Sequence, residues 1–596
     1  MQLPRPEYPR PQFVREDWLC LNGRWDFAFD DHDVGCVQKW FAPGAVFDRQ
    51  IQVPFAFQSK LSGIGDTGFH DCVWYRREIE IPPVWREKRV LLHFGAVDYE
   101  TRCYLNGNLI YTHVGGNASF CVDITDYLTY GVETLVLRVF DPSQDETIPR
   151  GKQFWQEKSA AIWYTRTTGI WQPVWLEPVS QSYLREVRLT PDVDSGEIGI
   201  EATVAGWRDG LALRYTIHFE GEMIVRDSIR SLHPVFSRKV DVFQQKIFRT
   251  NFHGSVHGCW TPESPKLYDI TFELLDDASC FDHVQSYFGM RKVHTEGGRV
   301  YLNNRPYYQK LVLDQGYWPG GLLTAPDDSD FREDIELAKA MGFNGCRKHQ
   351  KTEDPRFLYW ADKMGFLVWG EMASGISYDH NYVERITGEW VEILRRDYNH
   401  PCIVTWVPLN ESWGIPNASR NSRQSAHCGA MYYLTKSLDP TRPVISNDGW
   451  EMTVSDICAI HNYRHGKDRD RQYDHFCKAL KTAEQILEDR PSGKAIYATG
   501  YSYKGEPILL TEFGGVSYTD PKNPGWGYTS AKTEEEYLET LARVFDAVYN
   551  SECLYGFCYT QLTDVEQETN GLLTYDRKPK CDIIKIRDLI DRIVVW

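Results

Sequence analysis

From about residue 294 the sequence alternates short apolar runs with helical patterns, and this alternation restricts the fold more than any other feature. A strand followed by a helix, repeated many times, builds a parallel sheet covered by helices. Candidate strands fall at 307–313, 344–347, 366–370, 403–408, 443–446, 457–460, 508–511 and 554–559. One helix is framed by Asp354 as N-cap, Pro355 in the first turn and Gly365 just past its end. Another opens on Thr533-Glu-Glu-Glu536 and carries Leu538, Leu541, Ala542 and Phe545 on one face. Only about ten residues separate the fifth and sixth candidate strands, too few for a full helix. Eight units of this kind predict a TIM barrel over 294–596, with its working groups at the C-terminal strand tips.

Two of those tips share a plan. Ile403-Val-Thr-Trp-Val-Pro-Leu-Asn410-Glu411-Ser-Trp-Gly414 is an apolar run that ends by presenting an amide and a carboxylate. Pro507-Ile-Leu-Leu-Thr-Glu512-Phe-Gly-Gly515 likewise ends in a glutamate followed by glycines. A lone Glu at a strand end is ordinarily a loop charge. Two, on the fourth and seventh strands of one barrel, would face each other across a cleft. Paired carboxyls are what glycosidic bond cleavage requires, one as acid and one as base or nucleophile.

The 596 residues exceed what one core can hold, and the first half reads differently. Residues 1–183 show short alternating runs (Trp25-Asp-Phe-Ala-Phe, Arg89-Val-Leu-Leu-His-Phe) and an Asn106-Gly107 hairpin signal, which predict a jelly-roll β-sandwich. Within it, Gly151-Lys-Gln-Phe-Trp-Gln and Trp163-Tyr-Thr-Arg-Thr-Thr-Gly-Ile-Trp-Gln form a long aromatic loop, read equally well as structural or as reaching across to line a pocket. Residues 184–293 continue in strands and suggest an immunoglobulin-like sandwich, without a Cys–Trp–Cys framework.

The net charge of −17, with no basic stripe, argues against nucleic acid and anionic membranes as partners. No apolar run reaches the ~20 residues of a membrane span. The N-terminal residues lack a signal-peptide core, and the fifteen cysteines are scattered singly, without metal-ligand spacing. The expectation is a cytoplasmic protein with reduced thiols, no cofactor and no metal, with homo-oligomerisation left open. Aromatic residues make up 14% of the chain, which suits both ring-rich cores and the stacking of sugars on exposed rings.

The order of parts resembles glycoside hydrolase family 2, the β-galactosidase and β-glucuronidase family, over nearly the whole chain. The residues that carry the resemblance are Arg396-Asp-Tyr-Asn399-His400-Pro401 leading to Asn410-Glu411, Thr511-Glu512-Phe-Gly, Gly342-Phe-Asn344-Gly-Cys-Arg347, Phe288-Gly-Met-Arg291 and Thr574-Tyr-Asp576-Arg577-Lys-Pro-Lys580. The resemblance implies a retaining exo-glycosidase with Glu411 as acid/base and Glu512 as nucleophile. It also implies that Asn410 binds the sugar 2-hydroxyl and that Tyr463 hydrogen-bonds the nucleophile. Arg347 is placed to hold that nucleophile ionised. Further sugar-binding candidates are Asp314, Trp318, Lys348, His349, Trp369, Glu371, His461 and Gln561.

The chain departs from the family pattern around the sugar. Asp314-Gln315 stands where His-Glu is common, Arg347-Lys348-His349-Gln350 replaces the usual run, and Tyr559 replaces a Trp. Similar glucuronidases place Asn-x-Lys before the Thr-x-Asp-Arg-Lys-Pro-Lys segment, whereas Glu568-Thr569-Asn570 stands here. A neutral sugar of β-galactosidase type is therefore expected. An α-L-arabinofuranosidase or β-D-galactofuranosidase of the same family is the alternative. A non-catalytic carbohydrate-binding protein is the reading from a different class, and the retained carboxylates argue against it.

Overall fold

In the computed structural model, residues 3–249, 257–277, 279–466, 469–518 and 525–594 are described. In the N-terminal part, alternation produces two antiparallel sheets. A six-stranded sheet runs in the order Arg49–Val53, Gly23–Phe29, Cys72–Glu80, Val132–Phe140, Glu100–Leu105, Asn108–Val114. A four-stranded sheet contains Leu19–Cys20, Val174–Val179, Arg89–Phe94 and Phe120–Asp123. Trp25, Phe27, Tyr75, Leu92 and Leu137 fill the space between them, while Arg24, next to Trp25, is exposed. Asn106 and Gly107 take the positive φ values of 52° and 83° that a tight hairpin needs. A second sandwich follows from Tyr183, pairing sheets of three and four strands around Leu213, Tyr215, Phe236 and Phe272.

The N-terminal strap ties the parts together. Arg15 donates to Glu177 of the first sandwich at 2.7 Å and to Asp282 of the second at 2.8 Å. Arg5 reaches Asp354 at the start of a barrel helix, at 2.9 Å. These guanidiniums are buried, so their pairing is obligatory once the strap is laid down.

Seven barrel strands form one parallel sheet in the order Ile403–Val407, Leu367–Glu371, Gly345–Lys348, Gln309–Asp314, Leu554–Thr560, Ile508–Gly514, Cys458–His461. The expected fifth strand at 443–446 is not a regular strand. Val444 bridges Trp406 and Asp448 bridges Asn410, so this segment holds one neighbour at two points. Pro443 brings no N–H, and the Val444 N–H is taken by the Asp456 side chain, which explains the incomplete ladder. The helix framed by Asp354 and Gly365 runs Pro355–Met364, with Asp354 capping Arg356 N and Gly365 at φ 70°. Thr533 caps Glu534–Tyr549. All fifteen cysteines are free, and Cys103, Cys346, Cys402 and Cys458 are buried among apolar side chains. No helix among the described residues is long and apolar enough to cross a membrane.

The aromatic loop of the first sandwich is tied both to its own domain and to the barrel. Arg166 turns inward onto the carbonyl of Thr67, while Gly151 packs against the barrel, its N–H on the Ser374 carbonyl at 3.1 Å. Gly151 has φ 59°, and a Cβ there would stand 2.1 Å from the Gln350 carbonyl oxygen. Only glycine permits this contact.

The helix His380–Asp397 presses Glu389 onto the first sandwich, where Asn117 donates both its backbone N–H and its Nδ2 to Oε2, each at 3.0 Å. Burial, opposed by those donors, pushes the Glu389 carboxyl from 4.5 up to about 7. Because the folded value is raised, its contribution to stability is complete below about pH 4.5 and is lost as pH rises through 7. Glu389→Gln keeps the acceptor and removes the titration. Urea midpoints should therefore fall less between pH 4.5 and 8 in this variant, leaving it on the order of 2–3 kcal/mol more stable than wild type at pH 8. Identical pH profiles would remove Glu389 as the titrating group.

Candidate active site

Arg347 lies at the centre of the barrel mouth, fully buried. Its Nε donates to Glu371 at 2.6 Å, and its Nη1 to the Thr511 carbonyl at 2.6 Å and to Glu512 Oε1 at 3.2 Å. Nη2 donates to Asn410 Oδ1 at 3.1 Å and pairs with Asp448 at 2.8 Å. One cation thus joins the tips of four chain segments. Burial would lower the guanidinium pKa, but Asp448, Glu371 and Glu512 raise it well above its ordinary value, so it stays charged. Asp448, which burial alone would raise, is held down to about 2 by Arg347 and His461.

Glu411 and Glu512 converge on one imidazole. His461 Nδ1 lies 2.8 Å from Glu411 Oε1 and 3.4 Å from Glu512 Oε2, and one oxygen of each glutamate lies within 4.8 Å of the other. Glu512 also accepts from Tyr463 at 2.8 Å. The Tyr463 ring stacks on Tyr528 with centroids 3.6 Å apart. Glu411 and Ser412 both have positive φ, 52° and 59°, where non-glycine residues are strained. The turn is held by Glu411 N–H on the Asp448 carbonyl, Ser412 N–H on Asn447 and the Ser412 hydroxyl on Glu451. Asn410 Nδ2 is buried and has no partner among the described residues, a donor beside Glu411.

The expected sugar-binding residues divide by strand geometry. Successive residues of a strand point to opposite sides, so Arg347 points into the barrel and Lys348 away from it. Lys348 is held by Asp314 and Glu353, both at 2.8 Å, with its ammonium 4.0 Å from the Phe357 ring centroid. Asp314, Trp318 and Lys348, expected to contact sugar, lie in a buried cluster under the helices, where Lys348 is committed to Asp314 and Glu353. Trp369 faces inward but lies one layer below the mouth, fully buried, with Nε1 on Gln309. Glu371 is committed to Arg347, to the Gln350 N–H and to His349 Nδ1, the last at 2.9 Å. Gln561 is buried between Gln315 and Asn570, and Asn570 in turn donates to Glu568 at 3.0 Å. These three brace the site from within.

Sequence reasoning missed Asp448 and Trp413 as site groups, and gave Lys152 and Trp163 only as parts of a loop that was either structural or pocket-lining. Asp448 ends the irregular fifth segment, and its position at a candidate tip was a usable signal. Lys152 and Trp163 come from the first sandwich, with Lys152 Nζ 5.0 Å from the Trp413 ring centroid and Trp163 stacked on Trp413 at 4.5 Å. Trp413, two residues beyond Glu411, was legible as an aromatic at a tip.

Burial would lower the His461 pKa, yet Glu512, Asp448 and a hydrogen bond to Glu411 raise it to about 10. The stability this ion pairing gives is complete below about pH 6.5 and fades as pH rises through 10. Nitrogen-15 NMR of the imidazole should show both ring nitrogens protonated at pH 8. A neutral ring at pH 7 would contradict the bridging assignment.

Three family models match the chain: "Glycosyl hydrolases family 2, sugar binding domain" over residues 19–170, "Glycosyl hydrolases family 2" over 182–291, and "Glycosyl hydrolases family 2, TIM barrel domain" over 324–595. A putative beta-glucuronidase of Formosa agariphila is 28% identical over 62% of this chain and 44% of its own. A beta-galactosidase of Thermoanaerobacter pseudethanolicus is 27% identical over 62% of this chain and 48% of its own. The chain thus spans about half the length of these curated relatives. The solved Bifidobacterium dentium beta-glucuronidase, complexed with coumarin-3-O-glucuronide, superposes with a TM-score of 0.79 at 20% identity, covering 98% of both chains, a likeness of fold. Three consecutive domain matches from one family, on the sandwiches and barrel described above, place this chain in glycosyl hydrolase family 2.

Proposed function

We propose that this chain is a retaining, exo-acting glycoside hydrolase that removes a neutral sugar from the non-reducing end of its substrate. The observation that carries the reading is the closeness of Glu411 and Glu512, one oxygen of each lying within 4.8 Å of the other and both on His461 Nδ1. Retaining enzymes hold their carboxyls about 5–5.5 Å apart, whereas inverting ones leave about 6.5–9.5 Å for a water. Glu512, held in place by Arg347 and Tyr463, attacks the anomeric carbon and forms a glycosyl ester as the glycosidic C–O bond breaks. Glu411 gives its proton to the departing oxygen, then takes one from the water that cleaves the ester. Asn410 Nδ2 offers its N–H to a hydroxyl of the same sugar ring. A binding protein has no use for a proton donor and a nucleophile held this close.

The neutral-sugar reading rests on Glu568 and Asn570, which stand where similar glucuronidases carry Asn and Lys, and on Lys348 being committed to Asp314 and Glu353. A sugar carboxylate would lose a charge-assisted bond of roughly 1.5–3 kcal/mol and would approach a buried glutamate. The relatives named as beta-glucuronidases favour the second reading, a charged uronide. Comparison of kcat/KM on matched nitrophenyl glycosides decides: neutral pyranosides or furanosides should exceed the β-glucuronide by at least ~100-fold, and a glucuronide preference would overturn the neutral-sugar reading.

Glu512→Gly should abolish turnover without loss of fold, and added azide should restore activity with an inverted glycosyl azide as product. Full activity of the variant without azide would remove Glu512 from the mechanism.

A further inference from the structure

Lys152 is a buried lysine beside the catalytic turn that the mechanism above does not use. It lies in the aromatic loop of the first sandwich and is 7% exposed. Among the described residues no carboxylate lies within ion-pairing distance of its ammonium, and no acceptor hydrogen-bonds it; its near neighbour is the Trp413 ring. An ammonium has three donors, and among the described residues none of these is taken by a protein acceptor. Arg5, Arg15, Arg347 and Lys348, buried to the same degree, all have carboxylate partners.

Its surroundings show where the vacant donors point. After burial, which is the larger cause, the charge of Lys152 is what most lowers the pKa of His349. It also lowers the Glu568 carboxyl against the upward push of burial. Trp413 lies two residues beyond Glu411, and Tyr164, whose N–H holds the Lys152 carbonyl, gives its hydroxyl to Glu568. Glu568 is oriented by Asn570 on Oε1 and by the Tyr164 hydroxyl on Oε2, and each oxygen retains accepting capacity. The backbone that carries Lys152 is fixed: Gly151 is wedged on Gln350, and Tyr164 N–H donates to the Lys152 carbonyl at 2.9 Å.

We infer that Lys152 is a substrate-binding residue that the jelly-roll domain places in the barrel cleft, where with Glu568 it reads neighbouring hydroxyls of the sugar, the ammonium donating and the carboxylate accepting. A cation and an anion together match a neutral polyol, whereas a lone cation would select a carboxylate. This inference rests on the glycosidase reading and adds the residues that select the sugar.

The test is kcat/KM for wild type, Lys152→Met, Lys152→Arg and Glu568→Gln on nitrophenyl β-D-galactopyranoside, α-L-arabinofuranoside, β-D-galactofuranoside and β-D-glucuronide. Met keeps the stem over Trp413 and removes the charge. On the preferred neutral substrate, Lys152→Met and Glu568→Gln should each lose about 10- to 100-fold, with unchanged thermal midpoint. Lys152→Arg should recover part of the loss. The double variant should lose less than the product of the single losses, because both residues hold one ligand. Lys152→Met equal to wild type overturns the inference alone, as does a loss confined to the glucuronide, which would make Lys152 a carboxylate anchor. A wild type silent on all four substrates would instead overturn the hydrolase reading itself.

Discussion

The Arg347 guanidinium is the interaction on which the site depends. A buried cation with a single carboxylate partner rarely recovers its desolvation cost. Arg347 recovers it by donating to Glu371, Glu512, Asn410 and a backbone carbonyl and by pairing with Asp448. The same contacts fix the relative positions of strand tips separated by more than 160 residues in sequence. Charge balance and geometry are therefore one problem with one solution: three buried acids gather because a cation stands between them, and the barrel mouth keeps its shape because they gather. His461 repeats the arrangement one layer outward, between Glu411, Glu512 and Asp448.

What the sequence disclosed follows from how local each signal is. The glutamates at 411 and 512 were legible because an apolar run followed by Asn-Glu or Thr-Glu and glycine is a strand with a loaded tip, visible within a dozen residues. The cap-and-stop frame around Pro355–Met364 was legible for the same reason. The fifth strand was over-read: Pro443-Val-Ile-Ser446 has strand composition, but ladder formation depends on which neighbour is free to pair, and that is a tertiary fact.

The sugar-binding candidates show the same limit more sharply. Arg347 and Lys348 are adjacent in sequence, both basic and both at a tip, yet one enters the barrel and the other enters the helix layer. Only the phase of the strand decides, and a four-residue strand leaves that phase undetermined in sequence. Lys152 was beyond reach for another reason. It lies almost 200 residues before His349 in a different domain, and nothing in Gly-Lys-Gln states that the glycine will touch a distant carbonyl.

That glycine sets the size of the working unit. Because the Gly151 turn seats directly on the Gln350 backbone, one wall of the cleft belongs to a domain outside the barrel. A barrel excised at its own boundaries would retain every carboxylate and still present an open trough. Relative movement of the two domains by a few ångströms would change the width of the site without disturbing any strand. The seam between the sandwich and the barrel is therefore part of the site's architecture, built by a loop that carries neither glutamate.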